Sequence, residues 1–324
     1  FFVKRQFLFA GVGVLAMVYL MNVPYQVWKK YAHIILFACF ILLLLVIIPG
    51  IGMVRGGARS WIGVGAFSVQ PSEFIKLGLI IFLSAYLSTY HKKITSFTKG
   101  FLPSISLVFL AFGLIMLQPD LGTGVVLVLT CLLMIFIAGG KISHFVGLSV
   151  LGLIGFALLI LSAPYRMSRI TAFLNPWEDP LGDGFQIIQS LYAIGPGGLM
   201  GVGLGNSLQK YFYLPEPQTD FIFAVLGEEL GFIGGTAVIL LFVILFWRGI
   251  QTALKAPDMF GRLVALGIVA MLTIQVMINI SVVIGLIPVT GITLPFLSYG
   301  GSSLTLALAS VGILLNISRY SKVI

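Results

Sequence analysis

Apolar runs of about twenty residues recur along the whole chain, and that length matches a helix crossing a bilayer core. Nine such runs fall at roughly 6–22, 31–50, 71–90, 100–117, 121–139, 142–163, 220–247, 260–287 and 302–318. None alternates with period two, so a barrel is excluded and α-helices remain the way to satisfy the backbone in hydrocarbon. Of 324 residues, 59% are apolar and 9% charged, with a mean hydropathy of +1.11, which excludes a soluble domain. The expectation is an all-α polytopic membrane protein: one membrane domain over residues 1–324, with nine spans and a large loop at 164–219. Cys39 and Cys131 fall inside spans and imply no disulfide framework.

The net charge of +9 invites a nucleic-acid reading, and its distribution argues against one. If the loop after the first span is cytoplasmic, that side collects Lys29, Lys30, Lys92, Lys93, Lys99, Lys141, Arg248, Lys255, Arg262, Arg319 and Lys322, against Asp258 alone. The other side collects the remaining eight basic and nine acidic residues, which nearly cancel. This is the positive-inside asymmetry, and it fixes the expected orientation. The first span then runs outside to inside. The chain opens on "FFVKRQFLF" without an initiator Met or a cleavable signal, so a trimmed N-terminus and a missing upstream span, making ten, are expected.

Unusual residues gather on the outer side. In "QPSEFIK", Pro71 suits a first helical turn, Glu73 suits the positive end of the dipole, and Lys76 lies one turn on. The pair is either a structural ion pair or a wall of a polar cavity. In "QPDLGTG", Asp120 precedes a helix start, as an N-cap or as part of an outer cavity. The loop 164–219 is too long for a mere connector. It carries Arg166 and Arg169 three apart, and "FQIIQSLYAI", which reads as an amphipathic or re-entrant helix. Phe185, Ile188, Leu191 and Tyr192 fall on one side of that helix, and Gln186, Gln189 and Ser190 on the other. "GPGGLMGVGLGNS" follows, and does not match a nucleotide-binding P-loop. Its glycines suit a hinge, or a cradle for an anionic head group together with Arg166, Arg169 and Lys210.

"LPEPQTDFIFAVLGEELGFIGG" raises the sharpest question, because carboxylates are costly at membrane depth. Pro215 and Pro217 bar a helix upstream, and Thr219 reads as an N-cap that places Asp220 in the first turn. On a straight helix Glu228 lies about 12 Å deeper and about 80° around, with Glu229 on the opposite side. A glycosidase-like carboxylate pair needs roughly 5–9.5 Å, so one helix cannot supply it. Glu228 and Glu229 are expected to pair with groups on neighbouring spans. Asp220 is a cap, a proton acceptor, a counter-charge or a metal ligand.

"RSWIGVGAFSVQPSEFIKL", "QPDLGTG", "LPEPQTDFIFAVLGEELGFIGG" and "PVTGITLPFLSYGGSS" together resemble the SEDS family (shape, elongation, division and sporulation), in order and over the whole chain. The stretches around "PYRMSRITAF" and "PEPQTDFIF" are most similar to its sporulation branch. The resemblance implies ten spans in the family and a peptidoglycan glycosyltransferase that polymerises lipid II on the outer face of the cytoplasmic membrane. A class B penicillin-binding protein is the implied transpeptidase partner. It also implies that Asp220 is the catalytic residue, that Trp61 is functionally important, and that Glu73 and Lys76 line a cavity. On this reading Arg55, Arg59, Arg166, Arg169 and Lys210 hold the pyrophosphate, and Ser298 and Asp120 are further substrate contacts. A divalent cation such as Mg2+ or Mn2+, held by Asp220 or Asp120, is the cofactor to test. The competing readings are a flippase for the lipid-linked precursor and a non-catalytic scaffold for the transpeptidase.

Overall fold

The protein is described by a computed structural model covering residues 2–55, 58–64, 67–161, 164–182 and 184–321. The expected helical architecture is present. Among the described residues, seven helices are long and apolar enough to cross a membrane, and two apolar helices are shorter. The chain packs as two compact units. The first draws on the chain up to Ile142, on Leu245–Ile274 and on the stretch from Tyr299 onward; the second holds Ser143–Ile244 and Gln275–Ser298.

The first unit contains α1 (Phe2–Asn22), α2 (Gln26–Ile47), β1 (Gly52–Arg55), β2 (Ala58–Val64), β3 (Phe67–Val69), α3 (Pro71–Tyr90), α4 (Leu102–Met116) and α5 (Leu121–Ile137). One short antiparallel sheet, in the order β1-β2-β3 within 52–69, adds to the helical architecture. Met53 pairs with Trp61 and Ile62 with Val69, with a register irregularity after Met53. β-branched and aromatic residues here are too sparse, and too interrupted by Gly and Arg, to build a span, but they suit a short pleated ribbon. α3 is the most buried span of this unit and begins as expected, with Pro71 in its first turn.

The last helix, α12 (Gly301–Tyr320), also belongs to this unit and packs along α1. Their backbones approach closely. A Cβ on Gly13 would lie 2.6 Å from Leu308 Cδ1, and one on Gly312 would lie 2.5 Å from Met17 O. Small residues at such a crossing let dispersion contacts hold apolar helices together in lipid, where the hydrophobic effect supplies little. A polar knot closes one end of the unit: Asn316 donates to Met21 O and accepts from Tyr25 N, while Tyr25 Oη donates to Asp258.

The second unit holds α6 (Ile142–Leu161) from Ser143 on, α7 (Pro164–Leu174), α8 (Phe185–Gly197) and α9 (Gln209–Phe212). The helices α10 (Ile222–Lys255) and α11 (Met259–Val283) contribute to both units. The loop helix α8 exists, but its buried face differs from the expected one. Ile187, Ile188, Ser190 and Ala193 are buried while Leu191 and Tyr192 are exposed. Ser190 turns inward, where its hydroxyl donates to Val283 O at 2.7 Å. Tyr192 packs edge-on against Trp177 instead.

Candidate functional site

Asp220 sits just ahead of α10, not within its first turn. Glu216 adopts a positive φ of 50°, and Thr219 closes a turn back onto it, with both N–H and Oγ1 donating to Glu216 O. Thr219 is therefore occupied as a turn former and does not cap α10, contrary to the sequence expectation. The helix starts at Ile222, and Phe221 O accepts from Ala224 N and Val225 N.

Two side chains fix the main chain at Asp220. Asn279 of α11 donates from Nδ2 to Asp220 O at 2.8 Å and to Ile292 O at 2.7 Å. Ser298 Oγ donates to Thr219 O at 2.5 Å and accepts from Leu294 N at 2.7 Å. Together they clamp the 214–221 turn to the non-helical 284–298 segment. Gly291 in that segment has φ 72°, and a Cβ there would lie 3.6 Å from Asp220 Oδ2. Asp220 is half-buried. A pocket of about 310 Å³ is lined by residues of both segments, Pro215 and Val289, and by Ala172, Phe185 and Gln186 of the long loop. A carboxylate so placed, on a backbone held by buried hydrogen bonds, is suited to accept a proton from a hydroxyl presented to it.

The two deeper glutamates serve a different purpose, and α10 is not straight as assumed. Gly231 breaks it with φ 65° and ψ −164°, a conformation open to glycine but strained for other residues. The break removes the bonds that Phe232 N and Ile233 N would make to Glu228 O and Glu229 O. The glycine-rich segment replaces all four partners. Phe232 N and Ile233 N donate to Gly198 O and Leu199 O, while Val202 N and Gly203 N donate to Glu228 O and Glu229 O. The side chains lock the same segment. Glu228 accepts from Ser207 Oγ at 2.5 Å and Leu208 N at 3.0 Å, and Glu229 pairs with Lys210. Both carboxylates thus bind one loop, rather than cross-linking neighbouring spans from opposite sides. A buried break left unpaired would cost several kcal/mol, which explains why glycines and carboxylates occur together here.

This pairing bears on Lys210 as an anion ligand. Burial alone would lower its pKa, but the Glu229 bond outweighs that and holds it above the usual lysine value. Its charge is already balanced.

In the first unit, Glu73 and Lys76 form the expected pair at 2.9 Å, and both are buried. Asp120 caps α5 through Oδ1, which accepts from Thr123 N, while Oδ2 accepts from Gln70 Nε2 and Ser72 Oγ. Trp61 and Arg59 lie on β2, with Arg59 Cγ packed against Gly52. The side chains of Arg55, Arg166 and Arg169 lie outside those described. Among the described residues no group of three or more His, Cys, Asp or Glu comes together as a metal cage. Sequence reasoning missed Asn279, whose one signal was an amide inside the apolar run "TIQVMINISVV".

Comparison with known proteins finds relatives over nearly the whole chain. The chain is 67% identical over 322 residues to stage V sporulation protein E of Bacillus subtilis strain 168, covering 99% of this chain and 88% of that one. It is 46% identical to the probable peptidoglycan glycosyltransferase FtsW of Geobacter sp. strain M18, covering 98% and 87%. A chain from a solved peptidoglycan synthase complex that coordinates polymerization and crosslinking superposes with a TM-score of 0.84 at 35% identity, covering 98% and 89%. The model of the FtsW/RodA/SpoVE cell cycle protein family matches residues 1–323, and the chain, a multi-pass membrane protein, belongs to that family.

Proposed function

We propose that the chain is a peptidoglycan glycosyltransferase that polymerises lipid II, with its site on the extracytoplasmic side, in service of spore cortex synthesis. The observation that carries this reading is the clamp at Asp220: Asn279 and Ser298 hold the main chain at the position matching the family's catalytic aspartate. The charge asymmetry between loops supports the orientation.

In the proposed step the 4-hydroxyl oxygen of the incoming N-acetylglucosamine attacks the anomeric carbon of the growing strand's terminal sugar. The bond from that carbon to the pyrophosphate oxygen breaks with inversion, and undecaprenyl pyrophosphate leaves with the electron pair. The hydroxyl proton passes to the Asp220 carboxylate. General-base assistance of this kind contributes about 100- to 10,000-fold. Arg59, with Arg55, Arg166 and Arg169, supplies positive charge for the departing pyrophosphate. Trp61, Glu73 and Lys76 contribute to substrate binding. A divalent cation fits this donor set only if the pyrophosphate supplies most of its oxygen ligands, as Mg2+ commonly arranges. The partner is a class B penicillin-binding protein supplying crosslinks, in keeping with the similar chain from a synthase complex.

Reconstitution of the chain with its partner and lipid II tests the reading. Glycan strands should form when transpeptidation is blocked by a β-lactam. Movement of lipid II across liposomes without any polymer would sink it in favour of a flippase, and neither activity would leave a scaffold.

A further inference from the structure

The first unit carries a second cavity that the glycosyltransferase reading does not use. It is a groove of about 380 Å³ formed by His33, Phe37 and Phe40 of α2, Phe82 of α3, and Leu107 and Leu110 of α4. Apart from His33 its lining is apolar, and it opens away from the protein: Phe37 is 68% exposed and Leu110 55%. These residues lie within candidate membrane spans, so the groove faces acyl chains.

Its mouth has a different chemistry. From Phe82, which meets His33 edge-on at 5.2 Å, a column of rings leads along α3 through Tyr86 and Tyr90, with centroids 6.3 and 5.1 Å apart. Lys93 Nζ ends the column, 5.0 Å from the Tyr90 ring. Tyr86 Oη reaches the backbone of Lys99, and Lys29 lies one turn before His33 on α2, with its Nζ 5.9 Å from the Phe260 ring of α11. Tyrosines mark the interface level of a membrane, and lysines there attract anionic head groups. The acidic residue on this side, Asp258, is already committed to Tyr25 Oη and Gly261 N.

We infer that this groove is a binding site for an anionic glycerophospholipid of the lysine-rich leaflet, one acyl chain lying along Phe37, Phe82 and Leu110 and the phosphate resting among Lys29, Lys93 and Lys99. The site is independent of Asp220, so its failure and the failure of the glycosyltransferase reading are separable.

Native mass spectrometry of the full chain in detergent tests it, with phosphatidylglycerol and phosphatidylcholine of identical acyl chains as probes. Phosphatidylglycerol should bind preferentially. Lys29→Gln and Lys93→Gln should each weaken phosphatidylglycerol about fivefold, as expected for one basic group near an anionic surface, and leave phosphatidylcholine unchanged. Leu110→Trp, which fills the groove, should weaken both lipids, whereas Leu151→Trp on the exposed face of α6 should weaken neither. Thermal unfolding in the same detergent confirms that each variant is folded. Equal binding of the two lipids, wild-type binding by Leu110→Trp, or displacement of phosphatidylglycerol by an equimolar polyprenyl phosphate would each overturn the assignment.

Discussion

Asp120 and Asp220 look alike in the sequence, each a lone carboxylate before an apolar helix, and the structure fixes them through different atoms. Asp120 is held by its side chain: both oxygens accept hydrogen bonds, from Thr123 N, Gln70 and Ser72, and the carboxylate anchors α5 to the start of α3. Asp220 is held by its main chain: Asn279 grips its carbonyl, and Ser298 grips the carbonyl before it. A carboxylate used as an anchor is consumed by its partners. At Asp220 the main chain is fixed by other residues, so its position is set independently of what its own carboxylate bonds to. On the proposed reading, the protein builds a cap and a proton acceptor from the same residue type.

The largest effect that would break this contrast lies at Asp220 itself. Asp220→Ala should lower polymerisation by about 100- to 10,000-fold while the thermal midpoint stays near wild type, because the clamp acts on backbone atoms. A large loss of stability without a matching loss of rate per folded molecule would make Asp220 an anchor too. Gly231→Ala comes next. It should destabilise the protein by about 1–3 kcal/mol, since alanine is strained at that φ and its Cβ would collide with Gly201 N. Chemical denaturation in detergent reads this.

Asn279→Ala leaves two carbonyls without their donor and should cost about 1–3 kcal/mol. Its diagnostic signature is kinetic: kcat should fall while KM stays close to wild type, because the base is displaced and the residues proposed to bind substrate are not. Asn279→Asp, lacking the amide donor, should fail to rescue it. The smallest effect belongs to Asp120→Ala, a lost cap worth about 0.5–2 kcal/mol, with the rate per folded molecule near wild type. A rate collapse there would erase the distinction between the two aspartates.

How much of this was legible depended on the range of the interactions. Apolar runs of twenty residues declare membrane helices locally, and Pro71 with Glu73 declares the start of α3. The sheet at 52–69 was not legible, because its strands are three to seven residues long and their pairing is non-local. Thr219 read as a cap because its competing partner, the turn at Glu216, depends on an unusual backbone angle. The break at Gly231 was hidden because glycine is common in membrane helices. Only the docked segment at 198–203 shows that it stops a helix there. The motif around Asp220 singled it out as the candidate. The clamp that makes it useful comes from Asn279 and Ser298, 59 and 78 positions away in the chain.

The claim that Asp220 acts as a proton acceptor is tested most directly by supplying the base from solution. Asp220→Gly opens space beside Gly291 for a small carboxylate, and formate is titrated against the rate of glycan formation from lipid II. The account predicts a variant that is nearly inactive alone and recovers with saturable dependence on formate but not on chloride. Wild-type polymerisation by Asp220→Gly without formate, or an inactive variant on which formate and chloride act alike, would contradict it.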